Sequence, residues 1–391
     1  MDYELTKDQK ELQEEVARFC REEIAPRARL LDESPKDKVG GMLRENLKKL
    51  TKIDYLGLGL DTRYGGKGLD LISQCIASEE VAKACASTFL SAWSSAYLFG
   101  AMLQLFGTNL QRDKYLSGLI KADIVGALAY TEPDAGVDIA GINTIADKKG
   151  DKWVINGTKD LVTNASIADV FLVLAYTDRD AGDGSGMTLF IVDKGTKGLS
   201  IGSPIETMGL RGASIAGISL DNCEISDDSV LGGDVGKGFN QLERILEVGR
   251  LGMATMSIGI GTACMDNATQ YAKGRKAFGR QIGKFQEVGF KLADMFTYND
   301  LGRMLTYKAA WSFEQGEKEA GVLASCAKLF ASEAVTNIAN WALQVFAGHG
   351  YVKGTDIERL YRDARFCEIG GGTSEMQRSI IANDVLDEFL H

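Results

Sequence analysis

Histidine is almost missing from this chain: His349 and the terminal His391 are the two among 391 residues. A Ser–His–Asp triad, a His dyad or a His-rich metal centre has almost no material to be built from. Any chemistry falls to carboxylates or to a cofactor. Proline is nearly as scarce, with four residues and none beyond Pro204, so nothing after that point breaks a long helix. The seven cysteines (20, 75, 85, 223, 264, 326 and 367) show no CxxC spacing; they read as reduced, intracellular thiols and argue against zinc. Positive charge is in deficit, with 44 Lys and Arg against 54 Asp and Glu for a net −10, which argues against a nucleic-acid partner. No apolar run approaches the roughly 18–20 residues of a membrane span, and the acidic, amphipathic opening MDYELTKDQKELQEEV does not read as a signal peptide. The expectation is a cytoplasmic protein with no membrane partner.

What is present divides the chain into three. Residues 1–123 carry helical periodicity: Leu12, Val16 and Phe19 share one face of a helix expected to stop near Pro26. Residues 124–235 hold short β-rich runs such as ADVFLVLAYTD and GMTLFIVDK, separated by turns such as DKKGD and DRDAGDGSG. Over 236–391 the helical pattern returns and is expected to hold to the end, with Val288, Leu292, Met295 and Phe296 in one apolar stripe. Ala324, Leu329, Ala331 and Ala334 mark a second helix, rich in small residues that permit close packing. The predicted fold is mainly α with a central β-domain: an N-terminal helical domain, a middle β-domain and a C-terminal helical bundle. Clustered strands disfavour a doubly wound dinucleotide fold, in which strands and helices alternate.

Three stretches carry candidate chemistry. TEPDAGVD, from Thr131, brings a hydroxyl, a turn proline and a glycine together, as a ligand loop or as an ordinary β-turn. GRKAFGRQIGKFQ places Arg275 and Arg280 beside Phe278-Gly279, which suits a diphosphate and a flat ring but also a solvated basic helix end. QVFAGHGY and GGGTSEMQR are glycine-broken helix junctions, open to an anion at a helix N-terminus or to a plain C-cap.

In order and spacing these stretches, with NGTKDLVTNASIAD, MGLRGAS, LEVGR and ERLYRDAR, resemble the acyl-CoA dehydrogenase family over essentially the whole chain, most closely its short-chain branch. The resemblance implies FAD, an acyl-CoA substrate, an electron-transferring flavoprotein as acceptor, and a homotetramer built as a dimer of dimers. It implies that Thr131 and Thr163 bond the isoalloxazine edge. Arg275 and Phe278 would reach the FAD of a neighbouring subunit, with Gln344 and Gly348 completing that interface. Thr373 and Glu375 would meet the adenosine end. Ser94 would line the acyl pocket, and Glu247 and Arg250 would contact the CoA arm. Two departures stand out: Leu161 replaces the tryptophan usual before the isoleucine and threonine of the WIT motif, and Val137 replaces the serine of the GSD motif.

A third departure bears on mechanism. In the family a glutamate removes the proton α to the thioester while the β-hydrogen leaves as hydride to flavin N5. That glutamate usually precedes the GT of YEGT, where this chain has Gly371. Some relatives carry it instead on the long helix, at the position held here by Gly249. Both usual base positions are glycine. Glu247 is a substitute candidate, but two residues turn a helix by about 200° and should point it away. The acyl-pocket helix STFLSAWSSAYLFGAMLQLF contains no acid and offers Trp93, Ser94, Ser95 and Tyr97, which could also be plain packing residues. The expectation is therefore an FAD-dependent acyl-CoA dehydrogenase for an unusual, bulky or alicyclic acyl group. A base-independent lyase resembling the related desulfinase, with structural FAD, and a non-catalytic CoA-ester-binding flavoprotein are the alternatives.

Overall fold

The computed structural model describes residues 4–182 and 185–390; His391 and part of the DRDAGDGSG turn fall outside them. The first part is helical: α1 (Lys7–Phe19), α2 (Ala25–Glu33), α3 (Lys36–Leu50), α4 (Leu71–Ala84), α5 (Ala86–Ala92), α6 (Ala101–Phe106) and α7 (Asn109–Ile120). Thr6 opens α1 with a reciprocal cap, its hydroxyl accepting the Gln9 N–H while the Gln9 side chain returns to the Thr6 backbone. Pro26 does not stop this helix. A π-helical stretch, Cys20–Ile24, leads into α2, and Pro26 sits in the first turn of α2, where its missing N–H leaves no bond unmade.

Helices α5 and α6 are joined through a π-helical Trp93–Gly100, giving one helix over Ala86–Phe106. This corrects the expectation about apolar runs. Both Ala86–Phe106 and Ala320–His349 are long and apolar enough to cross a membrane, yet 72% and 56% of their apolar windows are buried inside the protein. Their apolarity is spent on the core.

The middle part is a seven-stranded sheet: β1 (Gly126–Ala129), β2 (Ile145–Lys149), β3 (Lys152–Thr163), β4 (Val170–Tyr176), β5 (Met187–Asp193), β6 (Leu199–Ile201) and β7 (Ile215–Ser226), in the order β1-β4-β2-β3-β7-β6 with β5 also on β4. Strand β1 runs parallel to β4, and β3 pairs antiparallel with both β2 and β7. The β3–β7 register shifts between Lys159 and Val162, so Asp160 and Leu161 leave the ladder and Leu161 takes φ +53°. A bulge of this kind re-aims side chains, and it leaves the apolar Leu161 58% exposed.

The last part comprises α8 (Gly238–Gly274), a hairpin of β8 (Lys276–Ala277) and β9 (Arg280–Gln281), α9 (Gln286–Gln315), α10 (Ala320–Phe346), α11 (Asp356–Phe366) and α12 (Ser374–Leu390). The hairpin corrects the expectation of unbroken helix. Phe278 and Gly279 both adopt positive φ, 50° and 77°, the geometry of a two-residue hairpin turn. Ala324, Ala331 and Ala334 are buried in α10 as their size suggests, whereas on α9 Met295 is buried and Phe296 is exposed.

Candidate active site

Two cavities, of about 520 and about 120 Å³, meet where the loop after β1, the bulge of β3, the middle of α8 and the Gly370–Thr373 bend converge. Tyr130, Thr131, Leu161, Thr163, Phe366 and Gly371 line both. The smaller cavity is a side chamber, closed off by Leu90, Trp93, Ser94 and Leu98 of the pocket helix and by Gly249 and Met253 of α8.

The β-domain wall rests on a buried ion pair. The Glu132 carboxylate accepts hydrogen bonds from Lys159 Nζ at 2.8 Å, from the Asn143 and Thr144 backbone N–H groups at 2.6 and 3.0 Å, and from the Thr144 hydroxyl at 2.5 Å. Burial works against its charge, but these donors outweigh it and hold the carboxyl below the usual carboxylate range. Burial pushes the Lys159 ammonium down to about 8, with Glu132 opposing. The pair anchors the chain on either side of the cavity, where the Thr131 carbonyl accepts the Asp160 N–H at 2.9 Å.

The opposite wall is the glycine bend. Buried Lys328 of α10 donates to the Gly372 carbonyl at 2.6 Å and the Glu368 carbonyl at 3.3 Å, and Gln377 Nε2 donates to Gly372 at 3.1 Å. Burial lowers the Lys328 ammonium to about 8. Gly371 and Gly372 take φ +68° and +90°, and a Cβ at 371 would stand 2.5 Å from Met253 Cγ. A Cβ at Gly370 would overlap the Phe366 ring. Met253 and Phe366 therefore fill the ground that a larger side chain at 370 or 371 would need. At Gly249 the nearest atom to an added Cβ is Leu98 Cδ2, at 3.6 Å, an ordinary contact.

Thr131, Thr163, Arg250 and Thr373 line the larger cavity, and Ser94 lines the smaller one with both threonines and Gly249. Leu161 and Val137, the two departures, also face the larger cavity. Glu247 does not join them. It pairs with Arg244 Nη1 at 2.5 Å, and its Oε1 lies 2.9 Å from where a Cβ on Gly321 of α10 would sit. Its carboxylate faces α10 and it lines neither cavity, the direction expected from the turn of the helix. Arg250 makes no ion pair among the described residues, and burial pushes its guanidinium below its ordinary value. Arg275, Phe278, Gln344, Gly348 and Glu375 line neither cavity. Phe278 is 95% exposed at the hairpin tip. Beyond α10, His349 Nδ1 lies 3.4 Å from the Tyr271 hydroxyl. Ser95 and Tyr97 are structural: Ser95 Oγ accepts the Gly126 N–H, and the Tyr97 hydroxyl donates to the Tyr55 carbonyl.

Sequence reasoning missed Asp160, Tyr130, Met253 and Phe366. Met253 was within reach of it, since four residues separate it from Gly249 on one helix face. Asp160 is the one carboxylate among the residues lining either cavity. Its Oδ1 accepts the Leu161 N–H at 2.8 Å and lies 3.5 Å from the position of a Cβ on Gly217 of β7.

Family models of the acyl-CoA dehydrogenase N-terminal, middle and C-terminal domains match residues 6–123, 127–223 and 236–386. The chain belongs to the acyl-CoA dehydrogenase family. It is 41% identical to the probable acyl-CoA dehydrogenase YngJ of Bacillus subtilis (strain 168) over 389 residues, covering 99% of this chain and 100% of that protein. It is 40% identical to the 3-(aryl)acrylate reductase of Clostridium sporogenes (strain ATCC 15579), covering 97% and 99%. The butyryl-CoA dehydrogenase of Megasphaera elsdenii superposes with a TM-score of 0.92 at 32% identity, over 99% of this chain and 100% of that one. The chain is thus an acyl-CoA dehydrogenase-type oxidoreductase, and members of this family are FAD flavoproteins.

The larger cavity fits such a cofactor. Thr207 Oγ1 and Gln377 Oε1 are buried at its wall without a hydrogen-bond partner among the described residues, and buried polar groups of that kind call for a polar ligand. Thr373 stands at the N-terminus of α12, where backbone N–H groups favour phosphate.

Proposed function

We propose that this chain is an FAD-dependent acyl-CoA dehydrogenase specialised for a bulky or alicyclic acyl group. Thr131, Thr163 and Thr373 would hold the cofactor, whose chemistry when bound is to accept a hydride from the acyl chain. Arg250 would meet the CoA arm, and Ser94 and the pocket helix would receive the acyl group. Arg275, Phe278, Gln344, Gly348 and Glu375 would serve the cofactor from a neighbouring subunit in a dimer of dimers. The exposed Phe278, Phe290 and Phe296 support such an assembly. Electrons would leave to an electron-transferring flavoprotein in the cytoplasm.

One observation carries the reading: the 120 Å³ chamber is bare at Gly249 and packed at Gly371. Its volume is close to the roughly 150 Å³ that admits a benzene ring, and it opens into the larger cavity. The α-proton released as the hydride leaves needs an acceptor, and Asp160, the one carboxylate lining the chamber, would take it from an acyl group seated there; a straight-chain ester out of its reach would lose about 10²–10⁴-fold in rate. The test is anaerobic mixing of the yellow holoenzyme with single esters while the oxidised flavin band is followed. Cyclohexane-carboxyl-CoA should bleach it and butyryl-CoA should bleach it slowly. Fast bleaching by butyryl-CoA would overturn the reading and make Asp160 the first residue to replace. The similarity to 3-(aryl)acrylate reductase favours a second direction. Its arm of the test is reoxidation of the reduced enzyme by cyclohexene-carboxyl-CoA.

A further inference from the structure

Where the smaller cavity opens into the larger one, three residues with side-chain hydroxyls line both: Tyr130, Thr131 and Thr163. The two threonines serve the cofactor in the proposed function, and Tyr130 has no such assignment. It stands one residue past the end of β1, and its carbonyl accepts Lys159 Nζ at 3.2 Å, which ties its backbone to the buried Glu132–Lys159 pair. Its ring packs against the apolar cluster that holds Leu128 and Ile245. A phenylalanine would serve that packing; the hydroxyl adds a polar group that ordinarily finds a partner. Burial pushes the phenol above its ordinary value, with the neighbouring Thr131 side chain opposing. The group is therefore an O–H donor throughout the neutral range.

We propose that Tyr130 is a catalytic residue whose hydroxyl donates to the thioester carbonyl oxygen of the bound ester. This deepens the acyl-CoA reading and rests on it. An ester whose acyl group fills the smaller cavity, and whose CoA arm runs through the larger one, sets its thioester at the junction of the two. Asp160 also lines the smaller cavity, so a proton acceptor and a neutral donor flank the reacting carbons. As the α-proton passes to Asp160 and the β-hydrogen leaves as hydride, the electron pair of the α C–H bond becomes the new double bond. To the extent that the proton leads, that pair spreads onto the carbonyl oxygen. A donor fixed at that oxygen acts on charge that develops only in the transition state. With glycine at both 249 and 371, lowering the cost of that charge compensates for a base that has left its usual positions.

The test binds cyclohexane-carboxyl-CoA, isotope-labelled at the carbonyl carbon, to the dithionite-reduced holoenzyme, so that no hydride transfer follows. Isotope-edited infrared difference spectroscopy then reads the carbonyl stretch in the unmodified enzyme and in Tyr130→Phe, which keeps the ring and removes the hydroxyl. The stretch should lie at lower frequency in the unmodified enzyme. In the oxidised enzyme, the flavin bleaching rate at saturating ester should fall about 10²–10³-fold in Tyr130→Phe, the loss typical of removing one such donor. Affinity for the ester should change by less than about tenfold, the range of one net hydrogen bond. A merely structural role would weaken binding or folding and leave the stretch where it was. Tyr130→Met, flexible enough to fill the space, serves if the Phe variant does not fold. The same stretch with and without the hydroxyl, or a bleaching rate kept within about tenfold, would overturn the role of Tyr130 while leaving the acyl-CoA reading intact. Failure of the ester to bind the unmodified enzyme would bring down that reading and the role with it.

Discussion

At Gly249, in the middle of α8, an added Cβ would meet only Leu98 Cδ2, at 3.6 Å, whereas at Gly371 the backbone has φ +68° and Met253 Cγ stands 2.5 Å from the Cβ position. Both glycines line one chamber. The bend at 371 needs glycine, because left-handed backbone disfavours a side chain and the space is taken. The helix at 249 does not need it, and gives up about 0.5–1 kcal/mol relative to alanine to keep it. Bare backbone therefore means tight packing on one wall and free room on the other.

The sharpest way to break this comparison is to restore a carboxylate on each side. Gly249→Glu should set an acid into the chamber and raise bleaching by butyryl-CoA about 10²–10⁴-fold, the contribution of a positioned general base. Gly371→Glu should give no such gain and should unfold at lower urea, since it combines backbone strain with overpacking. If the 371 variant gains the faster turnover, the two walls have been assigned the wrong way round.

The comparison also presumes that the β-domain wall stays fixed. Removing one partner of its buried pair, by Glu132→Gln, should cost about 3–5 kcal/mol in urea unfolding, because the Lys159 charge would be left alone. The pH dependence has a definite sign. The Glu132 carboxyl is held below its ordinary value in the folded state. Its contribution is thus complete above the unfolded carboxylate range, near pH 4.3, and is lost as pH falls through the folded value. Stability of Glu132→Gln should fall less steeply on the acid side, and an unchanged acid limb would show that the wall is held by something else.

On the bend side the expected effect is smaller. Lys328→Met removes charged hydrogen bonds to the Gly372 and Glu368 carbonyls and should cost about 1.5–3 kcal/mol. It should loosen cofactor retention, measured by flavin release on dilution. A loss of ring-ester binding with flavin held firmly would mean that Lys328 acts on the chamber and not on the bend.

Much of this contrast could be read before the fold. Periodicity located the long helices and the β-rich middle, and motif order brought Thr131, Thr163, Thr373 and both glycines into one site. Other features were out of reach for physical reasons. Pro26 looks like a stop because helix ends and helix starts both tolerate proline. The bulge at Asp160–Leu161 depends on β7, more than fifty residues away along the chain. The contacts of Met253 with Gly371 and of Phe366 with Gly370 are tertiary, so counting positions along the chain could set glycine at two expected carboxylate positions but not show that one slot was filled and the other open.

The smallest expected effect is also the cleanest. Alanine at 249 adds one methyl where only an ordinary contact with Leu98 awaits it, so Gly249→Ala should raise stability by about 0.5–1 kcal/mol through helix propensity alone. The same methyl protrudes into the chamber and should weaken binding of cyclohexane-carboxyl-CoA while leaving butyryl-CoA nearly untouched. Gly371→Ala should do the reverse to stability, because its methyl meets Met253 on a left-handed backbone. Paired urea titrations of the two variants give the sign directly. If Gly249→Ala lowers stability, helix α8 needs glycine at 249 for its own packing, and the room in the chamber is a by-product of that packing. If it raises stability and selectively weakens the ring ester, the helix gives up its own stability there to keep space for the substrate.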